Sequence, residues 1–188
     1  DLNSEQFEKV MNLLGADLSK DQLIKVTIDD EKALLGSIIS ADKIGSRSLS
    51  SARVTLTGEG TGISVTTQNI NWVTSSMYSS ALATAGVDNA RIVVAAPVEV
   101  SGTAALAGIL KAYESAASTQ LSDEAKAVAG SEMVLTGDLA DVIGSDDAVE
   151  LLAMVKNAIA EYHLDDYDSL RPYVEQGAKQ LGVQLTED

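Results

Sequence analysis

The chain contains no cysteine. Disulfide scaffolds, zinc-thiolate centres and cysteine nucleophiles are therefore excluded. A single histidine, His163, is the whole imidazole complement. Without thiolates and with one imidazole, the sequence predicts no tightly held transition metal. Aromatic residues make up only 4% of the chain, so its 45% hydrophobic content must fill a core with Val, Ile, Leu and Ala. Basic residues are also scarce: 13 Lys and Arg stand against 28 Asp and Glu, a net charge of −15. That balance argues against nucleic acid, whose phosphates need cations to release counterions. It argues equally against an electrostatic anchor on anionic lipid. No apolar run approaches the roughly 20 residues of a membrane helix. No signal peptide is visible, and the first residue is Asp1, which fits a trimmed chain or a mature secreted protein with its signal peptide removed.

The acidity is uneven. Residues 1–93 hold 8 basic and 11 acidic side chains, and residues 94–188 hold 5 and 17. Solubility is the ordinary consequence of such charge, with cation binding or a basic partner as the functional alternatives.

Local patterns predict the elements. Asn3 or Ser4 caps a first helix with a stripe of Phe7, Val10, Met11 and Leu14, ended by Gly15. Alternation of Ile24, Val26 and Ile28 predicts a strand over Leu23–Ile28, followed by a helix capped at Asp29 or Asp30 and reaching Leu35 or Ile39. Ala52, Val54 and Leu56 alternate with polar residues, as do Ile63 and Val65, and a glycine-rich link joins the two runs. This predicts a β-hairpin with Val54, Leu56, Ile63 and Val65 on its buried face. Thr74 or Ser75 opens a helix closed by Gly86, and Arg91–Ala96 forms a buried strand ended by Pro97. Helices follow at 102–118, 123–129, 131–143, 146–162 and 169–181. The expected class is α+β. A small antiparallel sheet, compatible with a ferredoxin-like βαββαβ order, follows an N-terminal helix and precedes a helical half. The expected division is an α+β domain over 1–118 and an acidic helical region over 119–188. Leucine followed by a small polar cap and acids or amides recurs at 1–6, 17–22, 120–125 and 184–188. This is helix N-cap chemistry, and its last copy predicts a further helix after Asp188.

Three phrases carry a resemblance: IGSRSLSSA at 44–52, GTGISVTTQNINWVTSSMYSSALATAGV at 60–87 and VVAAPVEVSGTAALAGILKAYE at 93–114. They resemble the YpuA-like secreted proteins of Gram-positive bacteria, a domain of unknown function. The likeness is close over Asp30–Glu114 and less specific in the flanks. It implies residence outside the cell or in the cell envelope, and it brings no catalytic residue.

Candidate chemistry is thin. Gly58–Gly62 resembles a phosphate loop, but it lies between two strands rather than before a helix. Val100–Thr103 precedes a helix whose free amides suit an anion, although Glu99 repels phosphate and ordinary capping explains the residues. His163, Ser169 and the nearby Asp165 and Asp166 lack any sign of triad geometry beyond local crowding. Glu59 and Glu99 are a formal carboxylate pair for hydrolysis of glycosides. Asp165, Asp166 and Asp168 are the best metal candidate, for calcium, without the order of an EF-hand; Asp168 also suits a helix cap. Ser64, Thr66, Gln68 and Asn69 with Trp72 and Tyr78 suggest a polar, aromatic face for sugar or peptide, although Trp72 also suits a core anchor. The leading expectation is a non-catalytic domain that binds a protein or cell-wall component, with no cofactor unless calcium. Its rivals are a cell-wall glycoside or peptide hydrolase using Asp or Glu and a calcium-responsive extracellular module.

Overall fold

The computed structural model describes residues 2–36 and 47–184, which form seven helices and three strands. The expected extension of the second helix to Ile39 and the capping phrase after Gln184 lie outside the described residues. Helix α1 spans Ser4–Leu14. Asn3 Oδ1 accepts the Gln6 N–H at 2.9 Å and Gln6 Oε1 accepts the Asn3 N–H at 3.1 Å, which is a capping box. Gly15 ends the helix at φ 59°, a left-handed position that glycine adopts without strain.

The strand expected at Leu23–Ile28 does not form. Residues 22–27 have no regular structure, and Ile28 is already the first residue of α2 (Ile28–Leu35). A capping box wins over the alternation: Thr27 Oγ1 accepts from Asp30 N, and Asp30 Oδ2 accepts from Thr27 N at 2.8 Å. Thr27, rather than Asp29 or Asp30, is the cap. Lys111 and the Thr27 amide together hold the Asp30 carboxyl down to about 2.

Strands β1 (Ser51–Leu56), β2 (Ile63–Ile70) and β3 (Ala90–Val100) make one sheet in the order β1-β3-β2. β1 and β2 are therefore not a hairpin. β3 lies between them, antiparallel to β1 and parallel to β2, so the sheet is mixed rather than antiparallel. The link 57–62 has only to span two strand spacings, roughly 10 Å, and it is long enough to leave that gap. With β3 in the gap, and helix α3 (Ser75–Thr84) between β2 and β3, the parallel pair has the crossover it needs. A ferredoxin-like order would need a first strand that is absent among the described residues.

The alternation nevertheless put the right side chains on one face. Val54 pairs with Ile92, and Ile92 with Val65; Leu56 and Ile63 both pair with Ala90. Directly paired residues share a face. Val54, Ile63 and Val65 are half-buried there, while Leu56, at the strand end, is 41% exposed. Helix α4 (Thr103–Ala117) packs on β1 and α3 on β2. Ile92 and Val94 are fully buried, with Met77, Tyr78 and Leu82 of α3 and Leu106, Ile109 and Leu110 of α4. On the opposite face, Val10 and Leu14 of α1 pack with Ala95 and Val93.

β3 continues through Pro97, where the sequence suggested an end. β1 pairing stops at Ala95, and β2 pairing jumps from Gln68–Ala95 to Ile70–Val100. Pro97 thus lies in an irregularity where its missing N–H breaks no regular ladder. Asn69 forms that irregularity at φ 59°, and its Nδ2 donates to Ala96 O at 2.7 Å.

The chain divides into units of residues 1–134 and 135–188. Helix α5 (Asp123–Ile143) is continuous where two helices were expected. In the second unit, α6 (Ser145–Tyr162) packs with α7 (Tyr167–Leu181). They approach closely at Gly177, where a Cβ would come within 2.6 Å of Leu151 Cδ1. Tyr162 and Tyr173 stack with ring centres 5.2 Å apart. No helix among the described residues is long and apolar enough to cross a membrane.

Candidate binding groove

In the first unit a groove of about 1060 Å³ runs along the free edge of β1. Phe7 and Met11 of α1 line it, as do Leu18, Leu23 and Val26 of the segment that joins α1 to α2. α4 contributes small residues, among them Ala104, Gly108 and Ala112 at four-residue spacing, which share one helix face. Val26 Cγ2 lies 3.6 Å from where a Gly108 Cβ would stand, so the connecting segment leans on α4 there. Leu18 and Leu23 are 53% exposed, which concentrates open apolar surface at this rim.

The backbone of β1 is half committed. The Thr57 N–H donates to Asn89 O at 3.2 Å, immediately beyond the Leu56–Ala90 pair. In an antiparallel ladder, bonded and non-bonded pairs alternate. Ser51, Arg53 and Thr55 therefore bond to β3, and the N–H and C=O groups of Ala52, Val54 and Leu56 face the groove. Among the described residues no hydrogen bond ties those groups to another segment.

Basic residues slightly outnumber acidic ones at the groove. Among the described residues, Lys20, Lys25 and Arg53 line it against one carboxylate, Asp21. Arg53 Nε lies 3.0 Å from Asp21 Oδ2 without hydrogen-bond alignment, Nη2 donates to Asp21 Oδ1 at 3.2 Å, and Nη1 donates to Gly15 O at 2.8 Å. The Asp17 amide and then Arg53 hold the Asp21 carboxyl below its ordinary range. Lys20 pairs with Asp17 at 3.1 Å, and Lys25 is exposed with no ion pair among the described residues.

The residues singled out from sequence do not gather at one place. Tyr78 is fully buried, and its hydroxyl donates to Gly102 O at 2.5 Å, so it presents no ring to a ligand. Burial, with the Glu31 charge added, pushes that hydroxyl far above the ordinary tyrosine range. Trp72 is half-buried. Ser64, Thr66 and Gln68 do face outward, but Gln68 Nε2 donates to Leu13 O at 2.8 Å and Asn69 serves the strand irregularity. Both amides thus have structural partners. Glu59 sits in the link beside the start of β3 and Glu99 near its end, separated by roughly 30 Å of strand.

In the second unit, Asp165, Asp166 and Asp168 are all exposed. Asp166, not Asp168, caps α7: its Oδ1 accepts the Ser169 N–H at 2.9 Å, which lowers its pKa. The Ser169 hydroxyl donates to Asp166 O rather than to His163. His163 is exposed at the left-handed end of α6. Among the described residues, no group of three or more His, Asp or Glu is placed to hold a metal ion.

The sequence reading missed Glu31. Its carboxylate is fully buried and accepts from Thr103 Oγ1 at 2.6 Å and Ser48 Oγ at 2.8 Å. It lies beside the first turn of α4, where Gly102 at φ 97° supplies no side-chain cap. A Cβ at Gly102 would meet Ile70 Cγ2 and Tyr78 Oη at 2.6 Å, so glycine is required and the acid comes from another helix. The anion once suggested for this helix start is thus the chain's own carboxylate.

The whole chain, residues 1–188, matches the family described as "Protein of unknown function (DUF1002)". It is 40% identical over 194 residues to "Uncharacterized protein YpuA" of Bacillus subtilis (strain 168), covering 95% of this chain and 67% of that protein. No solved structure matches. The chain belongs to the DUF1002 family of proteins of unknown function.

Proposed function

We propose that this protein is a non-catalytic binding domain of the cell envelope or the extracellular space, with the β1 groove as its ligand site. The observation that carries the reading is the groove itself. It is open, mixes apolar and polar surface, and has a volume of about 1060 Å³, just above the usual range for ligand sites. The resemblance to YpuA-like secreted proteins supports the location. A hydrolase working through carboxylates needs two of them over one cleft. Among the described residues, Asp21 is the carboxylate that lines this groove, and it is engaged by Arg53.

The test is backbone hydrogen exchange of the purified protein with washed cell-wall material and, separately, with secreted proteins from Gram-positive cells. New protection is expected at Leu18–Val26 and Ser51–Leu56. Protection confined to other elements would remove the groove from the proposal. Release of reducing sugar or free amino groups from purified peptidoglycan would replace binding with hydrolysis. Retention in the cytosol of producing cells would refute the location.

A further inference from the structure

We propose that the groove takes an extended polypeptide as a fourth strand on β1, and that the preferred segment alternates apolar and acidic residues. This rests on the groove being the ligand site and names the ligand's chemistry. The unbonded backbone of Ala52, Val54 and Leu56 sets the first requirement. These residues offer N–H and C=O groups at a two-residue repeat along a sheet edge, inside a groove of mixed apolar and polar lining. Sugars and compact small molecules do not reproduce that repeat, whereas another backbone does, about 4.8 Å away.

Side chains set the second requirement. Ala52, Val54 and Leu56 share the sheet face on which α4 packs, and α4 presents Ala104, Gly108 and Ala112 to the groove. Small residues there leave volume for large apolar side chains of an added strand. Arg53 lies on the opposite face of β1, bound to Gly15 O at the end of α1. Successive residues of an added strand point alternately to these two sides. One side therefore suits apolar residues. Asp17 pairs with Lys20 and Asp21 with Arg53, so Lys25 is the lining cation with no ion pair among the described residues, and it favours an acidic over a basic residue on an added strand. A basic peptide would meet Lys25, and Asp17 and Asp21 are already engaged by Lys20 and Arg53.

The test uses fluorescence anisotropy with a labelled, blocked octapeptide of alternating Val and Glu. Saturable binding is expected, weakening with salt. Three comparisons accompany it. The same peptide N-methylated at alternate residues cannot donate to the edge and should bind about tenfold more weakly or not at all. An alternating Val and Lys peptide should show a similar loss. Val54→Pro removes one groove-facing N–H that bonds nothing within the protein, and should weaken binding about tenfold with an unchanged circular dichroism spectrum. If that variant fails to fold, the N-methylated peptide still decides the matter on the unaltered protein. Equal binding of the N-methylated peptide would overturn strand addition. So would slow hydrogen exchange at Ala52, Val54 and Leu56 in the peptide-free protein, because the edge would then already be occupied. No peptide binding, together with groove protection by cell-wall material, would overturn the polypeptide ligand and leave the groove's binding role standing.

Discussion

Glu31→Gln should make the protein more stable than the unaltered chain at neutral pH, although it removes a hydrogen-bonded charge from the interior. Glu31 is 0% exposed, and two hydroxyls at 2.6 and 2.8 Å hold its carboxylate. Burial pushes its pKa above the ordinary 4.5, and the Thr103 and Ser48 bonds only partly offset that rise. The folded state therefore holds this proton more tightly than the unfolded chain. The sign follows by linkage: stability from this group is complete below the unfolded value and is lost as pH rises through the raised folded value. Glutamine does not titrate, and with Glu31 protonated the two side chains are nearly isosteric, so the two proteins should be similarly stable at acidic pH. As pH rises, the unaltered protein should lose ground by at most about 1.4 kcal/mol per pH unit, then level off above the folded pKa. Urea denaturation between about pH 5 and pH 8, followed by the fluorescence of Trp72, measures the difference. Glu31→Ala is the control. It leaves two hydroxyls without their acceptor and opens a cavity, and should lie about 1–3 kcal/mol below Glu31→Gln at every pH. Parallel stability profiles for the unaltered protein and Glu31→Gln would refute the argument, as would a gain by the unaltered protein with rising pH.

Tyr78→Phe should cost about 1 kcal/mol in urea denaturation, because one buried hydrogen bond is lost without a cavity and Gly102 O retains the Ala105 amide. Gly108→Ala should raise stability by up to about 1 kcal/mol: the new Cβ would meet Val26 at an ordinary 3.6 Å, and alanine is the better helix residue. A loss in thermal denaturation would show that the groove wall does not tolerate the methyl group. Asp166→Ala should lower the stability of the second unit by about 1 kcal/mol, while Asp168→Ala should change it little; the reverse order would mean that the cap is misassigned. The melting temperature should rise alike with calcium and magnesium, as expected for screening of the net −15 charge. A saturable rise with calcium alone, abolished by Asp166→Asn with Asp168→Asn, would instead establish a site.

Residues close in sequence settled much of the secondary structure. The Asn3 cap and Gly15 stop of α1 and the Thr74 cap of α3 involve groups within a turn or two. Short-range hydrogen bonds and helical spacing are therefore enough to make them legible. The alternation of β1 and β2 also fixed which side chains share a face, because that depends only on the pleat. Local signals failed where two competed. At 23–28 the alternation lost to the capping box of Thr27 and Asp30, and Gly130 did not interrupt α5, where a helical glycine costs only about 1 kcal/mol. Strand order belonged to the tertiary structure alone. Nothing in the link 57–62 reveals that β3, arriving some 30 residues later, enters between the strands it joins. That insertion leaves β1 at an edge and so creates the groove. Glu31 is a case of the same kind: its partner Thr103 lies 72 residues away, and only the packing of α2 beside α4 brings a carboxylate to a helix start that has no cap of its own.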